Sequence, residues 1–373
     1  MAQERKKRRI VLASILKPVD DTRMFEKMGA SLAQSGEYEV FIIGYPTSST
    51  TPTSAVQFIS LPPFKRLSFQ RLIARWKVFK KVMSLKPAIL IFNTHELLLP
   101  AVFLKVLINT SIVYDVRENH YRNILLSGSF PWLIRWPLAL QVRSKEKLLA
   151  PSIDHFFLAE HAYQNEFKFH RSGWTVLENK APSWDILPRS DRGKISSEIK
   201  LLFSGTLAES TGVFHAITVA KELHQLDSTI ALTIIGHAAL KTELEKILSE
   251  ISSHPYIHLI GGDKLIPHPA ILDAIQHSDF GIISYPDSPH TASAHPTKLF
   301  EYLSARLPII LDQHWAWTES YLDCEPFAFI DFTRPDYRSL LHELKTKKFY
   351  TKTPEEVTWK SEEPKLLQSL KNL

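Results

Sequence analysis

The sequence predicts an α/β protein built of two doubly wound, Rossmann-like domains facing a cleft. Three observations predict it. At 373 residues the chain exceeds what one ordinary core organises, so two domains are expected. Strand-length apolar runs alternate with helix-length amphipathic patterns, the signature of parallel sheets covered by helices. The alternation is broken once, by APSWDILPRSDRGKISSE, a polar stretch with two prolines and no strong periodicity that reads as a linker.

The elements follow in order. RRIVLASIL reads as a strand and TRMFEKMGASLAQSG as a helix closed by Gly36, with Asp21 or Thr22 capping it. YEVFIIGY is a second strand. Phe64–Lys86 is a helix whose apolar positions are Phe69, Leu72, Ile73, Trp76, Phe79 and Met83. AILIFNT is a strand, a helix runs from about Leu97, and TSIVYDV, HFFLAE and WTVLEN are further strands, with helix around Trp132–Leu149. The second half repeats the rhythm. Its strands are IKLLFSGTL, IALTIIG, IHLIGG, DFGIISYP, PIILD and PFAFIDF. Its helices are GVFHAITVAKELHQL, ALKTELEKILSEIS, HPAILDAIQHS, TKLFEYLSARL and WTESYLD. The tail PKLLQSLKNL is a last helix. The expected domains are 1–180 and 181–359, with the helix of 360–373 packing back on the first.

Composition narrows the function classes. The 44% hydrophobic content with only 12 glycines fits a globular chain. A single cysteine, Cys324, forms no internal disulfide, which suits a reducing compartment, and is read as a small buried residue. The N-terminal MAQERKKRRI reads as a charged leader to the first strand. No apolar run reaches the roughly 18 residues of a spanning helix, so a cytoplasmic protein is expected. The net charge of +6 is unevenly spread: 64–86 holds eight Lys or Arg and no acid, which points to an anionic partner. No G-x-G-x-x-G follows a strand and no G-x-x-x-x-G-K-[ST] occurs, so dinucleotide dehydrogenases and Walker-type nucleotidases are excluded.

In open parallel sheets, ligands lie beyond the carboxyl ends of strands, facing helix N-termini. The residues there include SPHTASAHPTKLFEYLSARLPIILD and FSGTLAESTGVFHAI. These stretches resemble the donor-site signature and glycine turn of the glycosyltransferase family 4 enzymes, also called group 1 glycosyltransferases. LASILKPVDDTRMFEKMGASLAQSGEYEVFIIG resembles that family's N-terminal acceptor-side strand–loop–helix, and NTHELLLPA and IVYDVRENHYRN resemble its mid-domain loops, in the expected order. The resemblance covers most of the chain. It implies a GT-B fold, a nucleotide-sugar donor held by the C-terminal domain, no cofactor or metal, and transfer with retention of anomeric configuration.

Each candidate position has its own chemistry. Glu301 lies in an otherwise apolar helical pattern, and a buried carboxylate needs strong donors, such as a ribose diol. Lys298, one turn earlier, is expected either to face a diphosphate together with the helix N-terminus or to be a solvated lysine. Gly205 lets backbone N–H groups approach a phosphate. Thr206, Ser210, Thr211 and Gly212 continue that turn. His95 and Glu118 lie at strand ends in the first half and are the catalytic candidates, with Glu118 alternatively paired to Arg117. Asp20, Asp21 and Arg23 are candidates for acceptor contact, and Asp21 alternatively a helix cap. The chain departs from the family pattern in places. The first of two glutamates spaced eight apart falls on Ser293, so sugar contacts pass to His290, Thr291 or the backbone. The family's Arg and Lys of the glycine turn fall on Thr206 and Thr211.

The expected function is therefore a retaining glycosyltransferase that uses a nucleotide-diphosphate sugar and a glycan or lipid-linked glycan acceptor. A nucleotide-sugar epimerase of the same fold, or a non-catalytic binding or scaffold protein, are the alternatives. The stripe of the helix in 64–86 is expected to pack on the sheet. Its surplus charge, with FPWLIRWPLALQVRSK in 130–145, points to peripheral attachment at an anionic membrane surface, on the inner face of the cell membrane. No nucleic acid is expected, because no aromatic-interleaved basic motif occurs.

Overall fold

The computed structural model describes residues 7–46, 55–62, 64, 68, 70–126, 131–169, 173–182, 198–286, 295–312 and 315–373. The chain divides into two compact units. Unit 1 comprises Met1–Pro182 and Trp359–Leu373, and unit 2 comprises Ser183–Thr358. Each is a parallel sheet covered by helices, so the fold is α/β with two Rossmann-like domains.

Unit 1 runs β1 (Arg8–Pro18), a π-helical turn (Arg23–Gly29) continuing as α1 (Ala30–Gln34), β2 (Tyr38–Tyr45), β3 (Val56–Ser60), α2 (Gln70–Leu85), β4 (Ile89–Phe92), α3 (Leu98–Ile108), β5 (Ser111–Val116), α4 (His120–Leu126), α5 (Trp132–Leu149), β6 (His155–Leu158), α6 (Tyr163–Glu166) and β7 (Gly173–Val176). The strand order is β3-β2-β1-β4-β5-β6-β7, and every pairing is parallel. Side chains of β1 alternate between the two faces, as a sheet covered on both sides requires. Val11, Ala13 and Ile15 enter one apolar layer with α2 and α3, while Ile10 and Leu12 enter the other.

Unit 2 runs β8 (Ile199–Thr206), α7 (Val213–Leu226), β9 (Ile230–His237), α8 (Lys241–Ile251), β10 (Ile257–Gly262), α9 (His268–His277), β11 (Phe280–Ile283), α10 (Thr297–Ser304), β12 (Ile309–Leu311), β13 (Phe327–Phe329) and α11 (Tyr337–Thr346). Its order is β10-β9-β8-β11-β12-β13, again all parallel. The chain then returns to unit 1 as α12 (Glu363–Lys371). Leu366 and Leu370 bury fully in the layer that holds Ile10 and Leu12, together with Trp359, whose indole donates to Ser31 Oγ at 2.9 Å. Buried Glu362 accepts from Lys180 Nζ at 2.7 Å, from Lys365 Nζ at 2.8 Å and from the Glu178 backbone N–H at 3.1 Å.

The structure departs from the sequence reading in several elements. α2 turns Ala74, Val78 and Val82 toward the core and leaves Leu72, Ile73 and Trp76 exposed. Of the expected stripe, Phe79 and Met83 do pack against the core, Leu72, Ile73 and Trp76 do not, and Phe69 lies outside the described residues. A helix lying close to β1 and α3 seats small side chains there. WTESYLD lies in a 3₁₀ segment, Ala316–Cys324, and Cys324 is only partly buried. β3, α4, α6 and α11 are elements the sequence reading did not pick out. Most of the expected linker lies outside the described residues.

Candidate functional site

A parallel sheet opens a crevice where neighbouring strands lead their connections in opposite directions. In unit 2 that point lies between β8, which leads on to β9, and β11, which leads on to β12. The carboxyl ends of these strands are Gly205-Thr206 and Ser284-Tyr285. Lys298 and Glu301 come to this place from α10.

Lys298 carries the main electrostatic feature. Its side chain is buried, with Nζ 3.9 Å from the centre of the Phe203 ring and 5.1 Å from that of Tyr285. Nζ has no hydrogen-bond partner among the described residues. Burial lowers its pKa from the ordinary 10.5 to about 7, and the nearby Glu301 carboxylate opposes that fall. Aromatic faces attract a cation but accept none of its three N–H bonds in a linear way. An ammonium left in this state has the capacity to take an anion.

Glu301 is 8% exposed, and its Oε1 lies 3.0 Å from His268 Nε2. His268 is the first residue of α9, so a strand-end loop brings it to a carboxylate 33 positions along the chain. Sequence reading missed His268. Its only signal was a histidine opening a helix after the strand IHLIGG.

The turn after β8 is fixed from within. Gly205 has φ +108°, and the Lys298 stem lies against it: a side-chain carbon at position 205 would sit 3.8 Å from Lys298 Cε. Gly212 has φ +82°, and a Cβ there would meet the Ser284 carbonyl oxygen at 1.8 Å, so no larger residue fits. Thr211 Oγ1 donates to the Thr206 carbonyl at 2.7 Å and accepts from the Ala208 N–H at 3.2 Å. The Thr211 hydroxyl thus braces the turn. Thr206 is exposed. Ser210 lies in the 3₁₀ turn Glu209–Thr211, and α7 begins directly after Gly212 with the free N–H groups of a helix start. His290, Thr291 and Ser293 lie outside the described residues.

In unit 1 the corresponding strand ends belong to β1, β4 and β5. His95 follows β4 in a 3₁₀ turn, His95–Leu97. Its Nδ1 lies 2.9 Å from Lys145 Nζ, its Nε2 lies 3.5 Å from Glu96 Oε1, and its ring meets His120 edge-on at 5.1 Å. Arg71 pairs with Glu96. Burial lowers the His95 pKa to about 3, against the pull of Glu96, so the ring is neutral near pH 7. A neutral ring with Lys145 donating to Nδ1 carries its proton on Nε2. It can offer a hydrogen bond there but is no reservoir of protons.

Two expectations for this region are corrected. Arg23, read as an acceptor contact, is 2% exposed and donates to both oxygens of Asp115, at 2.7–3.2 Å, and to the Leu177 carbonyl at 2.9 Å. Arg117 pairs with Asp115 and Asp21, not with Glu118. Asp21 also accepts from the Met24 N–H at 3.0 Å, capping the helical turn, and Arg117 holds its carboxyl far below the usual range even against its burial. This alternating ladder of charge fixes the loop after β1. Glu118 is half exposed, 2.9 Å from Asn123 Nδ2 and 3.7 Å from Lys17 Nζ. Asp20 lies beside this loop, partly buried. No group of three His, Cys, Asp or Glu among the described residues could hold a metal ion.

The chain matches no protein-family model, and no curated protein matches its sequence. Solved structures do match its fold. Sucrose-phosphate synthase from Thermosynechococcus elongatus aligns over 98% of this chain and 99% of its own, at TM-score 0.68 and 12% identity. HepE of Anabaena, in complex with UDP and glucose, aligns over 98% and 100%, at TM-score 0.66 and 10% identity. A protein from Listeria monocytogenes assigned as a UDP-N-acetylglucosamine 2-epimerase aligns over 98% and 96%, at TM-score 0.61 and 11% identity. At such identity the likeness is one of architecture, and the chain has the two-domain GT-B fold that these proteins share.

Proposed function

We propose that this protein is a retaining glycosyltransferase, moving a sugar from a nucleotide-diphosphate donor to a glycan or lipid-linked glycan acceptor. The observation that carries this reading is the buried ammonium of Lys298, without a hydrogen-bond partner among the described residues, at the strand-end crevice of unit 2, beside Gly205 and one helical turn from Glu301. A diphosphate would give that ammonium the acceptors it lacks. The Gly205 turn and the start of α7 would add backbone donors. Glu301, oriented by His268, would accept from the two ribose hydroxyls. HepE binding UDP and glucose on the same fold supports the donor class.

In the reaction the bond from the anomeric carbon to the diphosphate breaks as the acceptor oxygen bonds that carbon on the same face. The acceptor proton passes to a departing phosphate oxygen. Lys298 stabilises the charge that grows on that leaving group. Neutral His95 is proposed as a hydrogen-bond donor to sugar or acceptor hydroxyls, and Glu118 as an acceptor-side group. His290 and Ser293 are proposed to contact the transferred sugar.

The test is calorimetric titration of the full chain with a panel of nucleoside diphosphates and nucleotide sugars. Glu301→Ala is expected to lower affinity about 10- to 100-fold, the loss of a charge-assisted pair of bonds. Full donor affinity in that variant would sink the assignment. Retention is read from the anomeric configuration of product by NMR. Sugar inversion without any acceptor would favour the epimerase reading, to which the Listeria structure lends support. Failure to bind any nucleotide would favour a binding or scaffold role.

A further inference from the structure

One face of unit 1 exposes apolar surface that folding alone does not require. α3 packs between α2 and α5. Thirteen of the twenty large hydrophobic side chains exposed among the described residues lie on these three helices. On α3, Leu99, Phe103, Val106 and Leu107 form one outward stripe, and Val106 is 79% exposed. On α2 and α5, the helices that pack against α3, Trp76, Trp132 and Trp136 are exposed as well. Isolated exposed apolar residues are ordinary, but a cluster on adjoining helices marks an interaction site.

The charge of this face says what covers it. α2, α3 and α5 hold ten Lys or Arg and one acid, Glu146, a balance of +9. The whole chain is +6, so everything outside the three helices sums to −3. Of these cations Arg71, Lys105 and Arg143 pair with Glu96, Asp154 and Glu146, so the charge the face offers is that of the exposed lysines Lys77, Lys80, Lys81 and Lys147. A second copy docking by the same face would set like charges against each other with no acids to match them. Aromatic and aliphatic side chains ringed by lysines fit a surface that is apolar in depth and anionic at its rim.

We propose that the α2–α3–α5 face docks on an anionic lipid bilayer, seating Phe103, Leu107, Trp132 and Trp136 at the boundary of headgroup and acyl chain while the lysines meet lipid phosphates. No helix among the described residues is long and apolar enough to cross a membrane. The proposal stands apart from the donor reading, since neither Lys298 nor Glu301 takes part.

Flotation of the purified full chain with phosphatidylcholine vesicles, and with vesicles enriched in phosphatidylglycerol, tests it. Binding to the anionic vesicles is expected, weakened by added salt. Lys77→Gln, Lys80→Gln and Lys81→Gln combined should lower partitioning about a hundredfold, at about fivefold per lysine. Phe103→Ser with Leu107→Ser should abolish it at unchanged melting temperature, because both side chains are exposed. Tryptophan emission of the bound protein should be quenched by acyl-brominated lipid. Three outcomes overturn the proposal: no binding to either vesicle, equal binding to both with no effect of the lysine variant, or a dimer in sedimentation that Phe103→Ser with Leu107→Ser dissociates.

Discussion

Lys298 sets stability against binding at a single atom. In the unliganded protein its ammonium is desolvated and gains only ring contacts and the field of Glu301. The unfolded chain holds that proton near the ordinary 10.5 and the folded chain near 7. The unfolded state thus binds more protons between those values, and this group makes stability rise with pH across that window. Below about pH 7 the whole penalty is present. Lys298→Met is therefore expected to raise the melting temperature of the unliganded protein near pH 6 and to lose that advantage toward pH 10, while lowering nucleotide-sugar affinity at least tenfold. Calorimetric melts at the two pH values read the first effect and titration reads the second. The same proton links to binding. A bound diphosphate favours charged Lys298, so affinity should be greatest below pH 7 and fall by up to tenfold per pH unit above it. A nucleotide sugar is the right probe, because its diphosphate diester keeps a constant charge from pH 5 to 9 while the second ionisation of a free diphosphate does not. His268 adds a positioning role. His268→Ala should weaken nucleoside diphosphates that carry ribose more than pyrophosphate, whereas a purely structural defect would weaken both alike.

At the level of elements, α12 shows how a remote segment completes a core. Leu366 and Leu370 are fully buried in the apolar layer where α12 meets α1, the π-helical turn and β7, and Glu362 is fully buried with two lysines and a backbone N–H as donors. Leu366→Ala is expected to destabilise the protein by about 2–5 kcal/mol in denaturant melts, the range for a large-to-small change in a packed core. A loss below about 1 kcal/mol would show that α12 is peripheral. The helix itself was legible in the sequence, because PKLLQSLKNL carries a helical pattern. Strands such as ILIF and FGII were legible too, since fully buried parallel strands read as unbroken apolar runs. β3 was not: VQFIS lies at the sheet edge and buries only Val56. The inward face of α2 was misread for a different reason. Hydrophobicity favours Leu72, Ile73 and Trp76, but the distance between helix and sheet selects Ala74, Val78 and Val82, and no property of a single residue encodes that distance. The candidate site divides the same way. Lys298, Glu301 and Gly205 could be read from local pattern and resemblance. The His268–Glu301 and Thr211–Thr206 bonds, and the burial of Arg23 on Asp115, depend on where strands place distant residues.

On the scale of the whole molecule, the two units repeat one architecture but use their strand ends differently. In unit 1 the loop after β1 is filled by the Asp21–Arg117–Asp115–Arg23 ladder, whose charges satisfy one another. Such a ladder leaves little unmet capacity for a ligand. In unit 2 the strand-end crevice holds an ammonium with no acceptor among the described residues and two glycines at positive φ, so it is the half that a phosphate would complete. This contrast predicts where a donor leaves its mark. Hydrogen exchange of the full chain with a saturating nucleoside diphosphate should slow the amides of 203–213 and 297–302. The β1 and β5 strand ends of unit 1 should exchange as before. A ligand at a hundred times its dissociation constant stabilises the form that binds it by about 2.7 kcal/mol, and amides that exchange only by opening the bound segment should slow by up to about a hundredfold. Slowing confined instead to the loop after β1 would move the donor to unit 1 and overturn the role given to Lys298. Slowing spread evenly over both sheets would mean that the ligand acts by global stabilisation, and the exchange of Lys298→Met under the same conditions would then show whether the ammonium is needed for binding at all.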